Sequence, residues 1–339
     1  MVPPPSTALE CFTGINRLPE LAPWQTACIE ASTTHDPMAF PGFQGMPVLR
    51  NAFAARTDGA ADHTLITNGA TQAIHAVVTW LARTGGRAVL HRPAWSYFEE
   101  ALDFAGVNRT DWDGTSPLPD LDARRPAALF VTDPINPTFA RFTDEQVSAI
   151  ARWIEAAPDR FIILDAIYRW HVPPGDHLAD WRGAIPPDRF LRIDGISKYS
   201  GLFAARIGAL EVPRALWAWF AEHQRLNTFG LNSVGQWTAL EALERTDEVL
   251  SVLHQALARR HTMVRDALDD TSVDVLNDDV GMYAYLRGPG LDADRLERAG
   301  LRTKPATVFG LDHGVRVNIA RPIDVVEQAL HIIQQTAHA

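Results

Sequence analysis

The feature that most constrains the fold of this chain is an alternation of short apolar segments with amphipathic ones between residues 64 and 194. The segments HTLIT, RAVLH, AALFVTD, FIILD and FLRID have the length of strands, and the last two are apolar enough to be buried on both faces. The segments between them have helical periodicity; in TQAIHAVVTWLART, one face carries Ala73, Val77, Trp80 and Leu81. Strands that alternate with helices predict an α/β fold with a mostly parallel sheet flanked by helices.

The pattern changes after residue 213, which predicts a second structural unit. Long helical segments are followed there by the short strands MYAYLR and VRVNIA and by a final helix. We therefore predict a large domain over residues 36–225, and a connecting helix with a smaller α+β domain over residues 226–339. Residues 1–35 are Pro-rich and are predicted to form an irregular N-terminal arm that is part of the small domain.

Composition argues against several classes of partner and location. The net charge is -10 without a long basic run, which predicts neither a nucleic acid nor an anionic membrane as partner. The N-terminus does not resemble a signal peptide and no apolar run is long enough to cross a membrane, so a cytoplasmic protein is expected.

Metal, disulfide and nicotinamide sites lack their sequence signatures. Cys11 and Cys28 are the only cysteines, and no G-x-G-x-x-G motif follows a strand. The histidines show no metal-ligand spacing; His254 and His261 are expected on a solvated helix face. No metal site is therefore predicted.

Residues with useful chemistry end or follow five of the predicted strands. They are Gly69, Trp95, Asn136, Asp165 and Lys198. In open parallel sheets, ligands bind outside the carboxyl ends of the strands. We therefore expect these five residues to converge at one edge of the sheet.

Lys198 lies in the segment DGISKYSGLFAARIGALEV, with Ser197 before it and Arg206 eight residues after it. A desolvated lysine can form a Schiff base with an aldehyde, although most loop lysines are simply solvated. Arg206 and Ser197 are suited to a phosphate, as is the helix start at Ala70 and Thr71, although such a start is often an ordinary cap.

Asp165 and Trp95 extend the same pattern. Asp165 closes an apolar strand, where a carboxylate needs either a cationic partner such as a protonated ring nitrogen or a capping role. Trp95 could stack on an aromatic ring or could belong to the core. Together with Lys198 and the phosphate-binding groups, these residues predict a site for pyridoxal 5'-phosphate (PLP).

From about residue 36 to residue 335, the chain resembles the class I/II aminotransferase family of PLP enzymes. SKYSGLFAARIGAL is similar to the family's lysine segment, which implies that Lys198 binds the cofactor and that Arg206, with Ser197, binds its phosphate. NGATQAI resembles the phosphate-binding helix start, so Ala70 and Thr71 are expected to contact the phosphate. PAWSYF resembles the ring-stacking segment, which assigns that role to Trp95.

Three further segments extend the resemblance. DPINPT resembles the motif whose asparagine binds the phenolic oxygen, here Asn136, which is also expected to contact the substrate. DAIY resembles the segment that supplies a carboxylate to the ring nitrogen and a phenol to the phenolic oxygen, here Asp165 and Tyr168. GVRVNIARP resembles the strand whose arginine, here Arg316, binds the substrate carboxylate; strand alternation places Arg316 opposite Val315 and Val317.

The resemblance implies a seven-stranded type of large-domain sheet, a homodimer and an enzyme that deprotonates the Cα of an amino acid, with Lys198 as general base. Transamination is the predicted reaction, and a PLP-dependent lyase, cyclase or oxidase of specialised metabolism is the alternative. A non-enzymatic PLP-fold module is disfavoured because the lysine, aspartate and arginine are present. No second basic residue can be assigned to a side-chain carboxylate of the substrate, so its identity is left open.

Three positions depart from the family pattern. Phe139 replaces a glycine, Gly195 stands where many members have a hydroxyl residue, and Phe40 lies where a neighbouring subunit usually lends a tyrosine. Phe139 is expected to alter the loop under the substrate, and the other two departures imply fewer phosphate contacts.

Overall fold

A computed structural model describes residues 8–277 and 280–338 of the chain. Its strands are β1 (Leu9–Glu10), β2 (Thr64–Thr67), β3 (Arg87–His91), β4 (Arg109–Trp112), β5 (Ala127–Thr132), β6 (Arg160–Asp165), β7 (Phe190–Gly195), β8 (Gly208–Glu211), β9 (Asp274–Val275), β10 (Tyr283–Arg287), β11 (Leu301–Arg302), β12 (Lys304–Pro305) and β13 (Val315–Asn318). Its α-helices are α1 (Ala22–Ser32), α2 (Pro47–Thr57), α3 (Gly69–Arg83), α4 (Ser96–Phe104), α5 (Asp144–Glu155), α6 (Trp181–Ala184), α7 (Ser197–Ser200), α8 (Trp217–Thr228), α9 (Ser233–Glu244), α10 (Thr246–Leu268), α11 (Ala293–Arg298) and α12 (Ile323–His338).

Seven of the described strands form one sheet, in the order β2-β8-β7-β6-β5-β3-β4. From β4 to β7 every neighbouring pair is parallel, and β8 is antiparallel to both β7 and β2. The prediction of an α/β fold with a mostly parallel sheet is confirmed. Every residue of β5, β6 and β7 is buried, because helices cover both faces of the sheet.

Helices pack against both faces of this sheet. On one face, the four predicted residues of α3 (Ala73, Val77, Trp80 and Leu81) are buried in a cluster with Phe98 of α4 and Phe220 of α8. On the other face, α5 buries residues such as Ile150 and Ile154, and it starts with a capping box between Thr143 and Gln146. The strand ends are thereby held at fixed positions along one rim.

A second sheet has the order β12-β13-β10-β9, with antiparallel neighbours. Val264 and Leu268 of α10, Leu296 of α11 and Leu330 and Ile333 of α12 pack in one cluster with the apolar residues of this sheet. The helices and short strands predicted after residue 213 are present. The predicted limits of the two domains are not tested by these contacts and stay a prediction.

The prediction that residues 1–35 are irregular was wrong for residues 9–10 and for the helical residues 19–32, whereas residues 11–18 contain no helix or strand. Leu9 and Glu10 pair in parallel with β11, and α1 packs against α9. Pro23 lies in the first turn of α1, where a missing N–H costs no hydrogen bond, so the proline-rich composition hid a helix.

His261 also departs from the sequence analysis. It was expected on a solvated face, but it is buried, and its Nε2 lies 2.9 Å from the carbonyl oxygen of Gly281. Burial lowers its pKa to about 4. Among the described residues, no group of His, Cys, Asp or Glu could hold a metal ion, and no helix is long and apolar enough to cross a membrane.

Candidate active site

A cavity of about 350 Å³ lies between the rim of the seven-stranded sheet and residues of the second sheet and the N-terminal segment. It is lined by every residue predicted to bind cofactor or substrate, namely Ala70, Thr71, Trp95, Asn136, Asp165, Tyr168, Ser197, Lys198, Arg206 and Arg316. It is also lined by residues to which the sequence analysis assigned no role, among them Phe12, Thr13, Gly14, Ile15, Thr132, Tyr283, Lys304 and Phe309. The predicted convergence of the strand ends is therefore present, although the role of each residue is not tested by its position.

Lys198 enters the cavity from α7, which begins two residues after β7 ends. Its Nζ donates a hydrogen bond to the carbonyl oxygen of Gly14 at 2.7 Å and lies 5.7 Å from the ring centroid of Tyr168. Asn16 binds the Lys198 main chain through a 3.0 Å bond from its Nδ2 to the carbonyl oxygen. The amine is thus held in the cavity by a neutral main-chain acceptor.

Asp165 ends β6 and is buried, and its Oδ1 accepts a 3.3 Å hydrogen bond from the N–H of Ile167. Burial raises the pKa of this carboxyl to about 7, and the nearby charge of Asp194 adds to the effect. A carboxyl group in this state favours a positively charged partner placed in the cavity.

Arg206 lies beside the start of α3. Gly69 has a φ of +72°, and a Cβ at this position would lie 2.7 Å from the Nη2 of Arg206. The positive φ therefore favours glycine, and a side chain at this position would push the end of the Arg206 guanidinium aside. The amides at the start of α3, the Arg206 guanidinium and the Ser197 hydroxyl form a donor set suited to a phosphate.

Trp95 precedes α4 and lines the cavity while it stacks on Tyr97, with ring centroids 4.9 Å apart and an interplanar angle of 25°. The stacking restricts the indole, so that Trp95 offers a fixed aromatic surface to the cavity.

Tyr168 forms a buried pair with Tyr283, whose hydroxyl lies 3.0 Å from its own. Burial raises the pKa of Tyr168. For Tyr283, burial also acts to raise the pKa, but the positive charges of Lys198 and Arg316 outweigh it and lower the pKa. The sequence analysis missed Tyr283; the alternation in MYAYLR gave a signal, because Tyr283 and Tyr285 share one face of the strand.

Phe139 packs beneath this pair. Its ring centroid lies 5.3 Å from that of Tyr168 and 5.8 Å from that of Tyr283. It has a φ of +55°, which is uncommon for a side chain of this size, and it is fully buried. Its ring fills the place that a Cβ on Gly281 would need.

Arg316 lies on β13 and is buried at the cavity wall. Its Nη1 donates to the Oδ1 of Asn136 at 3.2 Å, and its Nη2 donates to the carbonyl oxygen of Phe12 at 2.8 Å. The guanidinium lies 4.1 Å from the ring centroid of Tyr283, and its Nε has no hydrogen-bond partner among the described residues. This arrangement fixes a cation next to the predicted cofactor-binding asparagine, with donor capacity left for an anion.

The N-terminal segment 12–15 closes one side of the cavity, and the sequence analysis did not place it there. Asn318 donates through Nδ2 to the carbonyl oxygens of Thr13 and Ile15, at 2.6 and 2.9 Å. Arg321 donates through its Nε to the carbonyl oxygen of Glu10 at 2.8 Å. No sequence pattern marks such main-chain contacts across the chain.

Two of the departures from the family pattern lie in different surroundings. Gly195 lines the cavity, and a Cβ there would meet its nearest atom, the carbonyl oxygen of Ile207, at an ordinary 3.4 Å. Phe40 is 64% exposed and contacts Phe43, so it lies outside the cavity formed by this chain.

The side chains of the cavity fit PLP. A buried carboxyl with a raised pKa, Asp165, suits a protonated pyridine nitrogen, and the Arg206 cradle suits a phosphate. The amine of Lys198 faces the same space and suits the aldehyde.

Comparison with known proteins decides the family. The description "Aminotransferase class I and II" matches residues 13–333 of the chain. The chain belongs to this family. It is a PLP-dependent transferase, and transamination of an amino acid is its activity; the relatives described next are all named aminotransferases and give no support to a lyase, cyclase or oxidase.

An aspartate/prephenate aminotransferase of Thermus thermophilus is 26% identical over 310 residues, which cover 84% of this chain and 80% of that protein. A histidinol-phosphate aminotransferase of Halobacterium salinarum is 23% identical, with 85% and 80% covered. Among solved structures, the aspartate aminotransferase of Thermotoga maritima superposes with a TM-score of 0.85 at 22% identity, over 98% of this chain and 92% of that one. The fold is thus that of aspartate aminotransferases.

Proposed function

We propose that this cavity transfers the amino group of an amino acid to a 2-oxo acid, with Lys198 as the residue that links to PLP. The observation that carries the proposal is the meeting of Lys198, Asp165, Arg206 and Arg316 in one cavity. When bound, PLP supplies an aldehyde and an electron-accepting ring. Side chains and main-chain groups of the protein bind and orient the cofactor and the substrate and move the proton.

Each end of the cofactor has its own protein partner in this proposal. Arg206, Ser197 and the main chain at Ala70 and Thr71 hold the phosphate. Asp165 keeps the ring nitrogen protonated, which its burial favours since a buried carboxylate needs a cation.

The ring and its phenolic oxygen are held by three further residues. Trp95 stacks on the ring, and Asn136 and Tyr168 bind the phenolic oxygen. Because the Tyr168 hydroxyl is bonded to that of Tyr283, its orientation is held by a protein partner.

Arg316 binds the α-carboxylate of the substrate, and Asn136 contacts the substrate beside it. A guanidinium can form two parallel hydrogen bonds to a carboxylate, which fixes the direction of the Cα–H bond. The Nζ of Lys198 would then remove the Cα proton as general base and deliver it to the carbon atom that carried the cofactor's aldehyde, as transamination requires. Its bond to the Gly14 carbonyl oxygen, at 2.7 Å, keeps the free amine close to the reaction site.

We also propose that the protein is a cytoplasmic homodimer. An exposed apolar surface supports the dimer. Phe40, Phe43 and Phe229 form an aromatic cluster in which Phe40 and Phe229 are 64% and 66% exposed, and Leu226 is 69% exposed. Exposed apolar surface of this kind is typical of subunit interfaces. Light scattering should give twice the mass of the chain, and Phe229→Arg should give monomers; a monomeric wild type would contradict this part of the proposal.

A half-reaction tests the proposed function. Stoichiometric amino acid should convert bound PLP to pyridoxamine phosphate and release one equivalent of 2-oxo acid. Borohydride should fix the cofactor on Lys198, and peptide mapping should find Lys304, the other lysine of the cavity, unmodified. Lys198→Ala should lose both signals, and release of ammonia with PLP regenerated would refute transamination.

A further inference from the structure

One cation of the cavity has no counter-charge in the proposed function. The lining residues include the cations Lys198, Arg206, Lys304 and Arg316, and Asp165 is the one acidic residue among those that the structure describes there. With cofactor and substrate bound, Lys198 serves the aldehyde, Arg206 the phosphate and Arg316 the α-carboxylate. Lys304 remains, in a chain whose net charge is -10.

Lys304 lies directly beside the proposed carboxylate-binding arginine. In the antiparallel pair of β12 and β13, Lys304 and Arg316 are opposite each other. Opposite residues have Cβ atoms about 5 Å apart and point to the same face of the sheet. Both cations therefore face one space, and a ligand with two anionic groups can reach both.

Phe12 contacts both cations. Its carbonyl oxygen accepts a bond from Arg316, and its ring centroid lies 4.3 Å from the Nζ of Lys304. Arg316 also reaches Asn136, at the rim of the large sheet, whereas Lys304 lies over the N-terminal segment. The amino acid's α-carboxylate belongs to Arg316, and its side chain extends towards Lys304.

Arg302 is a nearby cation that is paired with carboxylates. It precedes Lys304 by two residues and lies 5.4 Å from the same Phe12 ring, but it pairs with Glu10 at 3.6 Å and Glu297 at 3.2 Å. Within residues 8–277 and 280–338, no carboxylate lies within ion-pair distance of the Lys304 ammonium. Burial, and then the charge of Arg316, lower the pKa of Lys304; the charge of Glu100, which lies beyond ion-pair distance, raises it by less. An anion beside the ammonium would therefore relieve an unfavourable position.

We propose that Lys304 binds an anionic group, a carboxylate or a phosphate, on the side chain of the substrate, which is therefore an acidic amino acid. The inference rests on the proposed function, because it requires Arg316 to hold the α-carboxylate. It also assigns a role in substrate specificity to Lys304. This residue reaches the cavity because β12 pairs with β13, and no motif in its own segment marks it.

Binding of unreactive acids to the PLP-loaded enzyme tests the proposal without turnover. Calorimetry would compare succinate and glutarate with propionate and butyrate, in the wild type, in Lys304→Met and in Arg302→Met. Methionine keeps the apolar stem over Phe12 and removes the charge. We expect Lys304→Met to raise the Kd of the dicarboxylates about 10- to 100-fold and the Kd of the monocarboxylates less than about twofold. Arg302→Met should bind both classes with Kd values close to those of the wild type. Equal losses for both classes, or no loss, would overturn the proposal.

Turnover gives a second measurement. The wild type should have a higher kcat/KM for aspartate, glutamate or O-phosphoserine than for alanine or leucine, and Lys304→Met should lose this preference through KM. Comparison of O-phosphoserine with aspartate and glutamate shows whether a phosphate or a carboxylate is preferred. A wild type that favours neutral amino acids would refute the role of Lys304 and leave the proposed function standing. If no amino acid reacts, the proposed function fails, and the dicarboxylate binding still decides on Lys304.

Discussion

The two ends of the cavity are built in different ways. The cofactor end consists of residues at or near the ends of strands of the seven-stranded sheet: Asp165 ends β6, Arg206 lies just before β8, and the others follow strands, namely Ala70, Thr71, Trp95, Ser197 and Lys198. The substrate end consists of residues from the N-terminal segment and the second sheet region, namely Phe12, Thr13, Gly14, Ile15, Tyr283, Lys304, Phe309 and Arg316. At the cofactor end, one sheet positions nearly all of these residues. At the substrate end, three parts of the chain that are distant in sequence meet, namely residues 12–15, Tyr283 and residues 304–316. We therefore expect changes at the cofactor end to alter cofactor chemistry and changes at the substrate end to alter amino acid affinity.

The strongest test of this separation is Asp165→Asn. The amide has the shape of the carboxyl group but cannot form an ion pair with a protonated ring nitrogen. Loss of one partner of a buried ion pair costs about 3–5 kcal/mol, so we expect kcat to fall about a thousandfold. Stopped-flow half-reactions would measure the loss, with KM for the amino acid little changed. A large rise in KM with kcat retained would break the separation.

The same residue makes a prediction for the cofactor-free protein. The pKa of Asp165 is raised to about 7 in the folded state, from a model-peptide value near 4, so between these pH values the folded state binds more protons than the unfolded one. Stability should therefore fall as the pH rises from 4 to 7. Asp165→Asn removes this dependence on pH. The free energy of unfolding of the variant should therefore exceed that of the wild type by a few kcal/mol at pH 8, and the two values should be equal near pH 4. Urea unfolding at the two pH values measures it; an equal difference at both would contradict the raised pKa.

Gly69→Ala sharpens the comparison at the phosphate. The new Cβ would lie 2.7 Å from the Nη2 of Arg206 and would displace the guanidinium, so the Kd of PLP should rise about 10- to 100-fold. Gly85→Ala is the matched control, because Gly85 also has a positive φ, +65°, but a Cβ there meets nothing within 4 Å. The control should lose about 1 kcal/mol of stability and no cofactor affinity. Equal cofactor losses in both variants would indicate backbone strain as the cause.

At the substrate end, Asn318→Ala should act on the amino acid. It removes two hydrogen bonds to the carbonyl oxygens of Thr13 and Ile15, and each contributes about 1 kcal/mol. We expect KM to rise about tenfold, with the Kd of PLP unchanged. Steady-state kinetics and equilibrium dialysis would measure the two values, and a parallel loss of PLP would show that the two ends are coupled.

The smallest effect is expected from Gly195→Ser. The position has room for a side chain, since the nearest atom to a new Cβ lies at 3.4 Å, and a hydroxyl would face the proposed phosphate site. Binding of PLP should tighten about two- to fivefold. Gly195→Ala, which adds the Cβ without the hydroxyl, should leave the Kd close to wild type; weaker binding in both variants would show that the glycine itself is needed.

Sequence patterns predicted the cofactor end because its signals are local. Apolar runs such as FIILD set the strands, and the residue after each run falls at the rim of the sheet, as for Lys198 after FLRID. The antiparallel strand β8 was missed because its insertion between β2 and β7 depends on pairing with distant strands. The helix α1 was missed because the prolines around it suggested an irregular segment.

The substrate end shows the limit of such patterns. Lys304 faces the cavity because β12 pairs with β13, and two-residue strands such as β12 have no periodicity to read. The Phe12 carbonyl meets Arg316 across 304 positions of the chain. Arg316 itself was assigned through the resemblance of GVRVNIARP to the family's arginine strand, and the alternation of this strand with buried valines supported the assignment.

The crowding beneath the tyrosine pair has an evolutionary consequence. The Phe139 ring occupies the volume that any β-carbon at position 281 would need, and Gly281 itself has a φ of +87°. The two positions should therefore be coupled among homologues: lineages that keep an aromatic residue at 139 should keep glycine at 281, whereas a small residue at 139 removes the steric part of this constraint and leaves the backbone part. Laboratory evolution that starts from Phe139→Gly should accept at 281 only residues that tolerate a positive φ, such as Asn or Asp, which the parent chain rejects.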